Sequence, residues 1–324
     1  MTLQQRIRAG AAALALSLTL GLAAGTVAEA AAPFVKGQAP GYYRMMVGDF
    51  EVTALSDGTV MLPMTTFLTG TAAGETKRAY ERAFLTDPVE TSVNTYLVNT
   101  GTKLVLIDTG AGKLFGPTLG VLLTNLKAAG YQPEQIDEVY ITHMHADHVG
   151  GLTVDGKPAF PNAVVRADKH DADFWLDPKT LAGAPKDDRA SVEGVQAAFA
   201  PYIAAGRFKP FEGDAELVPG VSAHASHGHT PGHTTYVVES KGQKLVLWGD
   251  LMHVAAVQFP NPAVTIKFDS DSKTAAVERR KAYIDAAKQG YWVAAAHLPF
   301  PGVGHLRKDG SGYVFVPANY SIPR

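Results

Sequence analysis

Six consecutive residues, His143-Met144-His145-Ala146-Asp147-His148, contain four side chains able to bind a divalent metal. Imidazole nitrogen and carboxylate oxygen are donors that such ions accept readily. The run follows an apolar segment, residues 138–142, that reads as a strand. In extended backbone His143 and His145 point the same way, because side chains alternate with a period of two. Two imidazoles on one face can grip a single ion. Asp147 and His148 lie beyond the strand end, before a turn at Gly150-Gly151, and can point to a second ion beside the first.

A second cluster, His227-Gly228-His229-Thr230-Pro231-Gly232-His233, precedes a strand-like run at 234–239. Its Gly and Pro residues set a tight loop that can present an imidazole from its tip, and the spacing alone leaves open which histidine does so. Asp250 ends the apolar run 244–248 after Gly249, where a carboxylate can bridge two cations with its two oxygens. His297 follows the apolar run 291–296, and His305 sits in a Gly/Pro loop.

The elements that must position these groups alternate between strand and helix. Strand-like stretches are expected at 43–56, 95–99, 103–107, 138–142, 163–167, 222–226, 234–239, 244–248, 291–296 and 313–317, and Asp-Gly and Asn-Thr-Gly turn signals separate the first of them. Helical patterns cover 75–85, 118–129, 169–176, 192–205 and 272–288, with a Pro/Gly/charged loop at 177–189. Residues 65–90 read as an insertion, suited to a pocket lid or a dimer contact. No repeat or linker interrupts 32–324, so one α/β domain is expected, with stacked sheets covered by helices.

The bulk composition narrows the function. Of the 324 residues none is cysteine, which removes thiolates as ligands and nucleophiles. The net charge of −2 and the lack of a basic stripe argue against nucleic acid as a partner. Residues 1–31 read as a cleaved signal peptide. Arg6 and Arg8 precede an uncharged apolar stretch at 11–24, and Ala28 and Ala30 give the spacing that signal peptidase accepts. That stretch is shorter than the roughly 20 residues a spanning helix needs, so no stable membrane anchor is expected. The mature protein is expected to be exported, to the periplasm or the medium.

Taken together, the run 143–148, the loop 228–233, Gly249-Asp250, a late strand-end His and the turn Asp108-Thr109-Gly110 resemble the metallo-β-lactamase superfamily. The resemblance covers essentially the whole mature chain. It implies the αββα four-layer sandwich with the site at one edge between the sheets. It also implies two divalent metal ions, zinc the first choice, with His143, His145 and His229 on one and Asp147, His148 and His297 on the other. Asp250 bridges them, and His233 stands behind the ligands. Superfamily β-lactamases of the common dizinc type use a thiolate where this chain offers Asp250, so the resemblance is to the hydrolase branches. Two such ions lower the pKa of a shared water to near neutrality. The expected nucleophile is then hydroxide, with Asp250 and Asp147 as the catalytic carboxylates.

Finer detail is similar to methyl parathion hydrolase and the related exported lactonases of aromatic lactones such as dihydrocoumarin. The stretches 39–44, 54–59, 114–119, 172–176 and 226–240 carry that similarity. It implies aromatic pocket residues at Phe115 and Trp175. The phosphotriesterase carries Arg, Leu, Thr and Leu where this chain has Phe67, His253, Ile266 and Phe268. A bulky aromatic pocket suits a flat aryl lactone or ester better than a tetrahedral phosphotriester. Lactonase or arylesterase activity on a small hydrophobic substrate is therefore the expectation, with weak organophosphate hydrolysis beside it. Methyl parathion hydrolase itself is the runner-up. A retired scaffold serving only as a metal-binding or partner-binding module would be expected to have lost ligands, and all seven positions are filled.

Overall fold

The structure, a computed structural model, describes residue 32 and residues 34–322, so the expected signal peptide lies outside the described residues. The described residues from 39 onward form one compact unit, and the described part of 1–38 contains neither helix nor strand. Among the described residues no helix is long and apolar enough to cross a membrane.

Two large sheets organise the compact unit. The first has the spatial order Tyr42–Val47, Phe50–Leu62, Val89–Asn99, Leu104–Ile107, Glu138–Tyr140 and Val164–Arg166. The second runs Ala215–Val218, Val221–Ala225, Thr234–Ser240, Gln243–Leu247, Trp292–Ala294, Val303–Asp309 and Gly312–Pro317. Strand periodicity explains how they stack. In the run 104–107, Leu104 and Leu106 enter one core cluster while Val105 and Ile107 enter another. Within Gln243–Leu247, Leu245 and Leu247 join the cluster of Val105 and Ile107, whereas Val246 joins a third. The shared cluster is the filling between the sheets, and each strand is apolar on both faces because both are covered.

Helices close the outer faces. Arg189–Ala204 sets Val195, Ala198, Phe199 and Tyr202 against the first sheet at helical spacing, together with Leu122 and Leu126 of Leu122–Ala128. Ser272–Gln289 lays Tyr283 and Ala286 on the second sheet beside Trp248. The layers are helix, sheet, sheet, helix.

Several features differ from the sequence expectation. Residues 43–56 form a hairpin, because Gly48 adopts a φ of 58° and the chain reverses between Val47 and Phe50. Residues 177–189 contain a helix, Pro178–Gly183, opened by Asp177 accepting from the Lys179 amide at 2.8 Å. A capping Asp followed by Pro is a helix start signal that the loop reading passed over. Ala215–Val218 and Val303–Asp309 are strands in addition to those expected.

Segment 65–90 has its own small core. Helix Met64–Phe67 and helix Glu75–Arg82 pack Met64, Ala79 and Tyr80 against Val254, Val257, Val264 and Ile266. A two-residue pairing of Leu68–Thr69 with Thr265–Ile266 ties the segment to the region that follows Asp250.

Candidate metal centre

The strands that matter end at a common edge. Leu104–Ile107, Glu138–Tyr140 and Val164–Arg166 are parallel, as are Gln243–Leu247 and Trp292–Ala294. Their carboxyl ends therefore deliver Asp108, His143, Asp250 and His297 to one rim, the position where open α/β sheets bind ligands. After the strand the chain enters a single helical turn, Ala146–Val149, which carries Asp147 and His148. The glycines that follow are required by space. A Cβ at Gly150 would lie 1.9 Å from the Ala111 carbonyl oxygen, and one at Gly151 would lie 1.9 Å from that of Thr109.

The expected ligands converge in two sets. His143, His145, His229 and Asp250 offer donor atoms within 4.8 Å of one another, and so do Asp147, His148 and His297. Asp250 joins the sets. Its Oδ2 lies 3.6 Å from His143 Nε2, 3.3 Å from His229 Nε2 and 3.1 Å from His297 Nε2, and its Oδ1 lies 3.2 Å from His148 Nε2. Asp147 Oδ2 stands 3.6 Å from His148 Nε2 and 3.5 Å from His297 Nε2.

The outward nitrogens show what belongs between the inward ones. His229 Nδ1 is 2.9 Å from Asp269 Oδ1, His148 Nδ1 is 2.8 Å from Asp108 Oδ2, and His297 Nδ1 is 2.8 Å from the Ser92 carbonyl. Each of these acceptors favours the ring proton on Nδ1, which leaves Nε2 as the nitrogen turned toward the centre. Burial works against charge on all of these rings and holds His143 and His145 well below the usual histidine range, whereas Asp250 and the neighbouring carboxylates outweigh it at His148, His229 and His297 and raise them. The ring nitrogens crowd together there: His145 Nδ1 is 3.0 Å from His143 Nε2 and 3.1 Å from His229 Nε2. His148 Nε2 and Asp250 Oδ1 are buried without a hydrogen-bond partner. Buried polar atoms of this kind need compensation, and two divalent cations supply it. The residues present fit such a pair.

His233 has a different task. Burial and the nearby His229 push it down to about 3, and both nitrogens are engaged. Nδ1 donates to the Ser226 carbonyl and Nε2 accepts the Asp250 amide, each at 3.0 Å. It clips the loop 226–233 to the turn carrying Asp250. His305 accepts no part in the centre, since it bonds the Tyr291 carbonyl at 3.1 Å and packs on Trp292.

Several positioning residues had no local signature in the sequence. Asp171, fully buried, accepts from the Met144 amide at 2.8 Å, the Gly232 amide at 2.6 Å and the Thr230 hydroxyl at 2.9 Å. It thereby joins the two histidine loops. Asp57 gathers the amides of Ala111, Gly120 and Leu122 at 2.8–3.0 Å and shapes the loop after Asp108. Asp269 orients His229 as described. Replacing Asp269 by alanine is expected to weaken zinc binding about 10–100-fold while leaving the fold intact, read by competition with a chromogenic chelator. Unchanged affinity would remove its positioning role.

A cavity of about 730 Å³ opens over the centre, with His145, Asp147, Asp250 and His297 in its lining. Its apolar wall includes Leu62, Met64, Phe115, Trp175 and Phe268, and His253 joins them. His253 Nε2 also lies 3.1 Å from Asp250 Oδ2. Helix Pro178–Gly183 and residues 184–192 supply a wall that the loop reading did not anticipate. Two expected pocket residues stand elsewhere. Ile266 is fully buried in the core under segment 65–90, because its strand pairing with Leu68 turns it inward. Phe67 packs behind Phe268 with ring centres 4.8 Å apart and does not itself line the cavity.

The family model of the Metallo-beta-lactamase superfamily matches residues 88–289. The chain is 26% identical over 207 residues to an N-acyl homoserine lactonase of Bacillus cereus, covering 57% of this chain and 74% of the relative. Among solved structures it is similar to AbOPH, a hydrolase in the beta lactamase superfamily, at 40% identity and a TM-score of 0.83, over 88% of this chain and 100% of that one. It is also similar to AidC, a dizinc quorum-quenching lactonase solved with its product, at 27% identity and a TM-score of 0.80, over 87% and 99% of the two chains.

Proposed function

Since this chain belongs to the metallo-β-lactamase superfamily and is a metal-dependent hydrolase of lactonase-like type, we propose that it opens aryl lactones and esters of the dihydrocoumarin kind. One observation carries the reading: an aromatic-walled cavity stands directly over the seven converging ligands. Two divalent ions, zinc in this proposal, supply when bound a nucleophilic water of near-neutral pKa and a polarising charge for the carbonyl oxygen. The chain's own groups do the rest. Asp250, whose Oδ2 stands beside imidazoles of both ligand sets and whose Oδ1 faces His148, orients the nucleophile and takes up its proton. Asp147 lines the cavity and is 14% exposed in its side chain, within reach of the leaving oxygen as the ring opens. Trp175, Phe115 and Phe268 bury a flat ring and exclude water from it.

The curated relative and AidC, by their names, act on lactones, which supports the lactone class. Phe268 with Phe67 behind it, and His253 beside Asp250, leave an aromatic boundary better matched to a planar acyl centre than to a tetrahedral phosphotriester. The same proposal places the mature enzyme outside the cytoplasm, on the support of the residue pattern of 1–31.

Side-by-side kinetics of the zinc-loaded mature protein on dihydrocoumarin, N-hexanoyl homoserine lactone and methyl parathion test it. The expected kcat/KM for dihydrocoumarin exceeds that for methyl parathion by on the order of 10³ or more, a difference of about 4 kcal/mol in transition-state binding. A preference for the phosphotriester would overturn the pocket argument. A preference for the acyl homoserine lactone would keep the lactone class and discard the aryl specificity.

A further inference from the structure

Outside the catalytic centre, Asp168, His170 and His227 bring three further donor groups together, with ligand atoms within 4.8 Å of one another. We propose that these residues form a separate divalent-metal site of the zinc type. Asp168 is buried and serves as the N-cap of helix Lys169–Trp175, its Oδ1 accepting from the His170 amide at 2.7 Å. The same oxygen lies 2.8 Å from His170 Nδ1, and Oδ2 lies 3.7 Å from His227 Nε2. The two imidazole rings are tilted by 55° with their centres 4.9 Å apart.

Two observations point to a ligand here. His227 Nε2 is buried without a hydrogen-bond partner although a carboxylate oxygen stands nearby at 3.7 Å, beyond hydrogen-bond reach. Donors about 2.0–2.1 Å from a tetrahedral ion stand roughly 3.3 Å apart, and the carboxylate-to-imidazole separations of 2.8 and 3.7 Å bracket that spacing. Small rotations of two side chains would suffice to close on an ion. His170 and His227 keep 51% and 32% of their side chains exposed, so water can complete the coordination and an ion has a path in. Two imidazoles and one carboxylate suit zinc, cobalt or nickel rather than calcium or magnesium.

The position gives the site a consequence. His227 precedes the ligand His229 by two residues, and the helix capped by Asp168 carries Asp171 and the cavity residue Trp175. An ion held there ties the 226–233 loop to that helix and stiffens one wall of the cavity.

The test titrates the metal-free full-length chain with zinc alone in a zinc-buffered solution and counts bound ions by elemental mass spectrometry. Wild type is expected to bind one equivalent more than His170→Ala, and His227→Ala should show the same deficit. The weakest equivalent should raise the melting temperature of wild type and leave that of His170→Ala unmoved. Equal stoichiometry in wild type and His170→Ala would overturn the site. Because the criterion is a difference of one ion, it holds whatever number the catalytic centre itself binds.

Discussion

Asp250→Ala is expected to abolish lactone turnover, with kcat/KM falling by on the order of 10⁴ or more, equivalent to about 5 kcal/mol of lost transition-state stabilisation. The size of the loss follows from the number of partners. The carboxylate is 3.1–3.6 Å from imidazole nitrogens of both ligand sets and also from His253. Burial would raise its pKa, but His297, His148 and His143 hold the group well below the usual carboxylate range, so it is ionised throughout the working pH. Removing it takes away the buried negative charge that stands between the two ligand sets, together with the group proposed to orient the nucleophile. Metal content should fall in parallel, because the set of His143, His145 and His229 is left without a carboxylate and the other set keeps only Asp147. Circular dichroism should be unchanged, since His233 bonds the Asp250 main-chain amide and not its side chain. A variant that kept both its metal and its turnover would refute the bridging role.

The largest effect on stability is expected from Asp171→Ala. Three buried donors, the Met144 and Gly232 amides and the Thr230 hydroxyl, depend on this one side chain. Each buried group left unpaired costs about 1–3 kcal/mol, so the variant, with three of them, should lose about 3–9 kcal/mol. That is a large part of the 5–15 kcal/mol typical of a folded domain. Urea unfolding of the metal-free protein reads the loss directly. Asp171→Asn retains one carbonyl acceptor and should fall between wild type and alanine, which keeps the comparison usable if alanine does not fold. In both variants zinc affinity should drop as well, because the loops they release carry His143, His145 and His229. A loss below about 1 kcal/mol in the alanine variant would show that the loops are held by other means.

The donor residues were legible along the chain because metal chemistry is written locally. Four ligating side chains in the run 143–148 and a glycine-bounded imidazole loop at 227–233 have few other uses. Asp250 and His297 were legible for a related reason: each follows a short apolar run, and a polar residue at a strand's carboxyl end has no place in the core behind it. The alternation in Leu104–Ile107 and Gln243–Leu247 likewise announces strands covered on both faces.

What holds the donors was not legible. Asp171 lies 27 residues from Met144 and 61 from Gly232, Asp269 lies 40 from His229, and Asp57 lies 54–65 from the three amides it gathers. None of these carboxylates has a neighbour in sequence that marks its role. Their meaning arises only when chain crossings bring them to buried amides and imidazoles that would otherwise be unpaired. For His233 the spacing left the choice open and only the resemblance set it behind the ligands, where both its nitrogens are engaged. Ile266 and Phe67 show the limit from the other side: their apolar character suited a pocket wall, yet the pairing of Leu68–Thr69 with Thr265–Ile266 turned one into a core and set the other behind Phe268. Residue type and spacing determined which chemistry this protein carries, because ligand preference is a property of single side chains. Tertiary structure alone decided which nitrogen faces the ion, which residue lines the cavity and which merely supports it, because those are properties of burial and distance.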